Sequence, residues 1–315
     1  MRQYVARRLL LFIPTLALIA VFVFAVVRWF PGDIVLVLTR DADFSAEDVA
    51  AERARLGLDK PVVEQFAVWS LNMLKGDLGK SLYSKRPVIE EMRQRLPVTV
   101  ELGAIAILFS LLIGIPVGIV SAVRQDSLPD YLARSVAIAA LSVPSFWLAT
   151  MSILVLSLQF QWIPPLQYVP FFENPWENLQ LMLFPGLILG INMSGALMRM
   201  TRTTLLEVLR QDYIRTARAK GLLDRFVLYR HALKNTLIPV MAIIGLEMAH
   251  VIGGSVVLES IFGLPGVGKF VFDVVLGRDY PAIQAANLML ALFVLGINLI
   301  IDLSQAFLDP RLRHN

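Results

Sequence analysis

The chain contains no cysteine. Disulfide bonds, thiolate nucleophiles and cysteine-based metal sites are excluded at once. Histidine is scarce too, three in 315 residues and without ligand-like spacing, so no metal site is expected. Charged residues make up only 17% of the chain against 57% hydrophobic, and the mean hydropathy is +0.65. That balance is too apolar for a soluble globule and fits a polytopic membrane protein. The net charge of +4 is too small and too scattered to signal nucleic-acid binding. Internal repeats and low-complexity tracts are absent, and no Ser/His/Asp or paired-carboxylate constellation marks the chain as an enzyme.

What is there is a series of long hydrophobic runs. Leu9–Val27 is charge-free, flanked by Arg7, Arg8 and Arg28, and no small-residue cleavage pattern follows it, so it reads as an anchor. Further charge-free runs are Leu102–Val123, Ser135–Phe172, Asn178–Met198 and Ala282–Ile301, and Leu237–Leu258 is broken only by Glu247 and His250. Ser135–Phe172 is too long for one helix; its proline- and aromatic-rich tail puts the end of the span near Phe160. Six transmembrane helices result.

Orientation follows from Lys and Arg. Three arginines precede the first run, nine Lys and Arg residues fall in 199–236 and two in the C-terminal tail, against none in 161–178 and two in 259–282. Both termini and the 199–236 loop are therefore expected inside. Residues 31–96 then face outward as a small helical domain. Ser45-x-x-Asp48 opens a helix ending near Gly57, and Val62, Phe66, Trp69 and Met73 recur at helical spacing as one apolar stripe, packed on itself or offered for docking. Gly76-Asp77-Leu78-Gly79 is a turn.

Between two spans lies Asp212–Pro239, DYIRTARAKGLLDRFVLYRHALKNTLIP. Asp212 is expected to cap a helix running through Lys220, Gly221 to end it, and Asp224 to cap a second helix that Pro239 closes. The order Arg215-Thr216-Ala217-Arg218-Ala219-Lys220-Gly221, followed by His231–Asn235 and Ile238-Pro239, resembles the cytoplasmic coupling loop of ABC importer permeases of the dipeptide, oligopeptide and nickel branch. Arg215-Thr216-Ala217 stands where the general pattern has Glu-Ala-Ala, and Gly221 is kept. The small residues at 216, 217 and 219 let such a helix seat in a partner's groove, with Ala217 expected to face it. LGLDKP, GDLGKS, Arg95–Thr99, Ser142–Leu148 and the tail Asp309-Pro310-Arg311 carry the likeness over nearly the whole chain.

The resemblance implies an all-α type I importer permease with a small extracytoplasmic domain after its first helix: 1–30 the N-terminus and first span, 31–96 the outer domain, 97–309 the core with its coupling loop 199–236, and 310–315 the tail. It implies a transport subunit for peptides or similar small solutes (dipeptides, longer peptides, glutathione or chelated nickel) in the bacterial cytoplasmic, or inner, membrane. The partners implied are a homologous permease, two cytoplasmic ABC ATPases holding the ATP and Mg²⁺, an extracytoplasmic solute-binding protein and membrane lipid; the chain itself would bind no cofactor and no nucleic acid.

Two further stretches invite chemistry. Gly263–Phe270, GLPGVGKF, satisfies G-x-x-x-x-G-K but lacks the following Ser/Thr, follows no strand and lies on the outer side, so it is not read as a nucleotide loop. By the same resemblance it is an outer gate element, with Gly263, Pro265, Gly266 and Gly268 running on to Asp279 and Tyr280. Glu247 and His250 share one face of the fifth span and either line the pathway or pair with each other. The branch usually carries an amide near 247. A rival reading from another class makes the two a relay in an ion- or proton-coupled secondary transporter. Asn192, Asn287 and Asn298 are expected to form interhelical hydrogen bonds, and Gly253-Gly254-Ser255 to allow close packing.

The lack of native cysteine makes the orientation directly testable. Cysteine at Ser45 or Lys269 is expected to react with an impermeant maleimide added to intact cells, and cysteine at Arg225 is expected not to. Labelling at 225 from outside would reverse the topology.

Overall fold

The structure, a computed structural model, describes residues 2–29, 46–55, 57–165 and 167–308. Ser45 and the tail Asp309-Pro310-Arg311 lie outside the described residues. Among those described there is no strand, only one isolated bridge between Lys80 and Pro87. The helices are α1 (Arg2–Trp29), α2 (Ala46–Arg55), α3 (Val62–Leu74), α4 (Val88–Val123), α5 (Leu128–Ser142), α6 (Ser145–Phe160), α7 (Pro175–Leu209), α8 (Asp212–Ala219), α9 (Asp224–Phe226), a π turn (Val227–Ala232), α10 (Leu233–Phe262), α11 (Val267–Leu276) and α12 (Tyr280–Leu308).

Four stretches are long and apolar enough to cross a bilayer unbroken: Leu10–Trp29, Val88–Val123, Pro175–Leu209 and Tyr280–Ile301. Two bent pairs make up to six. α5 and α6 meet at 95°, and Asp224–Met248 meets Gly253–Phe262 at 54°. The third span is thus not the single helix expected from 135 to 160. Val143 precedes Pro144, is forced out of the helical region (φ −83°, ψ 122°), and the chain turns there. The carbonyls this break frees at Ala140 and Val143 accept from the Asn192 amide of α7, at 2.6 and 3.3 Å. Asn192 therefore makes the interhelical bond expected of it. Asn287 does not; it donates to Ile283 one turn back in its own helix.

The chain divides into two compact units, one of 1–5, 97–269 and 296–315, the other of 6–96 and 270–295. In the first, α4 and α7 run parallel and touch through two glycine pairs that the hydrophobic pattern does not reveal. Gly186 and Gly190 of α7 abut Ile105, Ala106 and Phe109 of α4, while Gly114 and Gly118 of α4 abut Leu197, Met198 and Thr201 of α7. Both pairs have G-x-x-x-G spacing, which lets backbones approach where lipid supplies no hydrophobic drive. Gly195 does the same against Ala137 and Leu141 of α5. Gly254 approaches Leu189, as expected of the small-residue run, but nothing lies within 4 Å of a Cβ at Gly253.

The turn from α4 to α5 is held by Asp130, a fully buried carboxylate. Arg202 of α7 donates to it through Nε and Nη2, both at 2.8 Å. Ser121 Oγ and the Asp126 amide complete the set at 2.5 and 3.0 Å. Such a bidentate, fully satisfied pair fixes geometry more than it adds stability. Elsewhere in this unit Tyr168 donates to Glu101 at 2.6 Å, and burial together with the adjacent carboxylate pushes its phenol pKa up.

In the second unit α3 packs on α1. Phe24 stacks against Phe66 and Trp69 with centroids 5.1 and 5.5 Å away, and Arg28 donates to Gln65. Of the stripe read from the sequence, Phe66 and Trp69 thus close on the first span, while Val62 is exposed. Gly76 and Gly79 both take positive φ in the expected turn, where Asp77 accepts from the Gly79 amide.

Replacing Gly190 with alanine would bring a Cβ to 2.6 Å from Phe109 Cβ and 2.8 Å from the Ala106 carbonyl. The variant is expected to lose about 1–3 kcal/mol of stability, while Gly253→Ala loses none. Thermal unfolding of both in detergent is the check; equal stability would mean the α4–α7 contact is looser than described.

Candidate functional site: a basic helix-glycine-helix turn and a glycine-rich turn

The basic segment folds as a helix, a glycine turn and a second helix. Gly221 takes φ +79°; its amide donates to Arg218 and the next amide, of Leu222, reaches back to Ala217. These two bonds form the double closure typical of a left-handed helix end. Three details differ from expectation. Gln211, not Asp212, is the N-cap, and Asp212 sits inside the first turn, 3.4 Å from Arg215. Likewise Leu223 precedes the second helix as its cap, and the Asp224 carboxylate accepts from Arg218 at 3.1 Å instead. Pro239 closes nothing: α10 continues through it to Phe262. What separates the turn from the span is the π turn Val227–Ala232, a rare geometry enriched at functional sites.

Packing decides which face is available. Ile214 and Ala217 are buried against Ala122, Leu205, Val227 and Ala232. Ala217 therefore seats α8 on its own bundle, and the expectation that it faces outward is corrected; a small residue was needed for an inner contact, not an outer one. Arg215, Thr216, Arg218, Ala219, Lys220 and Gly221 are exposed. Beside them Leu223, Phe226 and Tyr229 are also exposed, at 63%, 43% and 66%. These exposed apolar side chains share the segment with the exposed Arg215, Arg218, Lys220, Arg225 and Arg230, the last 5.5 Å from the Phe226 ring, a mixture of the kind that marks a protein contact. Asn235 donates to the Tyr213 hydroxyl at 2.8 Å, tying the base of α10 to α8.

The second element is the reentrant turn. Gly263, at φ +69°, ends α10, and α11 starts at Val267. The residue that organises it is one the sequence reading passed over. Glu259 is fully buried, and its carboxylate accepts from Thr99 Oγ1 at 2.7 Å, from the Lys269 amide at 2.8 Å, and from the Gly268 amide and the Ser255 hydroxyl. Thr99 in turn accepts from the Val267 amide at 2.8 Å. The first three amides of α11 are thus capped by α4 and α10. A Cβ at Gly266 would overlap the Glu259 carboxylate, and one at Gly268 would come within 2.7 Å of Val256. The loop does wrap an acidic group, but the group is the chain's own. An acid four residues ahead of a Gly-Leu-Pro-Gly turn with no phosphate to hold was the signal available.

Asp279, in the other unit, plays the same part at the next break. It is buried, accepts from Ser81 Oγ at 2.6 Å and from the Leu82 amide at 3.0 Å, and caps α12 through Ala282 at 3.2 Å. Tyr280 opens α12, half-buried, and Pro265 is half-buried between the two glycines of its turn. Glu247 is half-buried in α10. The side chain of His250 lies outside the described residues, so the paired or pathway-lining reading of the two rests on the sequence.

Removing the Glu259 carboxylate strands several buried donors. Glu259→Ala is expected to cost on the order of 3 kcal/mol, and Glu259→Gln, which keeps one acceptor oxygen, distinctly less. Unfolding in detergent measures both. Wild-type stability in the alanine variant would mean the carboxylate does not hold the turn.

Residues 114–314 match the family described as the binding-protein-dependent transport system inner membrane component, and residues 1–103 match the N-terminal family of the same membrane components. The dipeptide transport system permease protein DppB of Alkalihalophilus pseudofirmus is 36% identical over 334 residues, covering all of both chains. The DppB protein of Escherichia coli (strain K12) is 37% identical over 337 residues, covering all of this chain and 99% of its own. Among solved structures, an inward-facing form of the MetNI methionine ABC transporter aligns with 70% of this chain and 96% of its own, at TM-score 0.57 and 16% identity, which is a likeness of fold. None of these is an ion-coupled carrier. A nearly all-helical chain with four to six spans and an exposed helix-glycine-helix turn, matched end to end by these relatives, belongs to the binding-protein-dependent transport system inner membrane components, the permease subunits of ABC importers.

Proposed function

We propose that the chain carries peptides, or solutes of similar size, as one permease of an ATP-driven importer in the bacterial cytoplasmic membrane. Its relatives' names support the solute class. A second, homologous permease completes the pathway, two cytoplasmic ATPases bind the ATP and Mg²⁺, and a solute-binding protein delivers from outside. Both termini face the cytoplasm, and residues 31–96 face outward.

The observation that carries the coupling role is the exposed apolar patch at Leu223, Phe226 and Tyr229 among its basic residues. The ATPase seats on this patch and on the outer face of α8. Ile214 and Ala217 hold α8 to the bundle, so a movement of the patch passes into α4, α7 and the π turn through one packed cluster rather than through a flexible loop. Between transport cycles Glu259 holds the outer turn at 263–269 and, in the other unit, Asp279 holds the turn before α12, while Glu247 with His250 face the solute.

The two faces of this segment separate in experiment. Leu223→Asp is expected to leave the chain inserted and as stable as wild type, yet to lose the co-purifying ATPase and solute uptake. Ala217→Leu, which overpacks the inner face, is expected to cost about 1–3 kcal/mol of stability. Normal ATPase capture and uptake in Leu223→Asp would remove the patch from the coupling role.

A further inference from the structure

The outer segment carries one helix whose apolar surface is only half accounted for. At about 100° per residue, Phe66, Trp69 and Met73 of α3 share the face that packs on Phe24 of α1. Val63, Ala67, Leu71 and Leu74 fall on the adjoining arc with Ser70, and Glu64, Gln65, Asn72 and Lys75 on the remainder with one apolar residue, Val68. α3 is therefore apolar over two neighbouring arcs, of which α1 covers one. The other is open: Val63, Leu71 and Leu74 are 80%, 56% and 85% exposed, and no residue of the helix is fully buried. On the polar arc Lys60 and Glu64 pair at 2.7 Å in the open, as groups facing water do.

We infer that α3 is an interfacial helix, lying in the leaflet at the Trp29 end of α1 with Val63, Ala67, Leu71 and Leu74 against lipid acyl chains. Three observations favour lipid as the occupant. The open arc is continuous with a surface that itself meets lipid, since α1 spans the bilayer with Leu18, Phe22 and Trp29 exposed at 71%, 63% and 78%. The depth agrees as well. α3 grips α1 at Phe24, five residues short of the end of the span, or about 7 Å along the axis at 1.5 Å per residue, and an amphipathic helix at the surface sinks about 5–10 Å. Finally, the end groups suit a headgroup region: Arg28 lies 3.4 Å from the Phe24 ring centroid while its guanidinium donates to Gln65, and Trp29, an amphipathic ring of the kind that collects at the interface, ends the span. The lipid contact orients the outer segment relative to the bilayer, whatever solute passes.

The test uses single cysteines in the full-length chain, reconstituted into phosphatidylethanolamine–phosphatidylglycerol vesicles and labelled with bimane. Leu71→Cys and Leu74→Cys are the variants; Phe22→Cys is the lipid-facing reference and Lys75→Cys the water-facing one. Doxyl-labelled phosphatidylcholine is expected to quench Leu71→Cys and Leu74→Cys as strongly as Phe22→Cys, with iodide having little effect. For Lys75→Cys the order is expected to reverse. Strong iodide quenching at 71 and 74 would overturn the inference, because the arc would then face water. Quenching by neither reagent would overturn it too, because another protein surface, such as a second permease or a solute-binding protein, would cover the arc.

Discussion

Hydrocarbon offers no hydrogen bonds to a helix that stops inside it, so every interruption must find its partners within the protein. This chain is interrupted often, and at four of the breaks a buried or half-buried polar side chain takes up freed groups. Asn192 receives the loose carbonyls where α5 breaks before Pro144. Asp130 takes the turn between α4 and α5, Glu259 the first amides of α11, and Asp279 the start of α12. Four side chains thus make possible a bundle that is bent and reentrant instead of straight.

The second constraint is distance. Lipid tails are as apolar as leucine, so helices gain by approaching closely, not by hiding from water. Gly186, Gly190, Gly114 and Gly118 bring α4 and α7 into backbone contact along two stretches, and Gly195 brings α5 onto α7. α7 is accordingly the most enclosed of the unbroken spans, with 67% of its apolar window buried against 28% for α4. Its far end leads straight into α8. A displacement of the basic segment therefore meets stiff, closely packed helices rather than compliant side chains.

Much of this was legible in the residues. Long charge-free runs marked the spans, lysine and arginine placement gave an orientation to test, and Gly221 was read correctly as a left-handed helix end because few residues tolerate that conformation. What could not be read were contacts between distant positions. Glu259 and Thr99 are 160 residues apart, and Asp130 and Arg202 are 72 apart. A lone acid at the edge of a hydrophobic run gives no hint of its donors. The direction of Ala217 failed for a related reason: a small residue is needed wherever two surfaces come close, and only the packing says which surface. Pro144 and Pro239 look alike in the text, yet one ends a helix and the other is carried inside one.

The π turn at Val227–Ala232 has a consequence for what substitution can reach. A π turn holds one residue more than the α-helical ladder around it, so it offsets the angular phase of everything before it by about 100° relative to α10. The direction in which Leu223 and Phe226 point is therefore set by a residue count and not by any one side chain. Point changes within 227–232 leave that phase alone, whereas loss or gain of a single residue would swing the whole basic segment to a different side of the bundle. The length of chain between Gly221 and the span is thus itself part of what sets which face this segment presents.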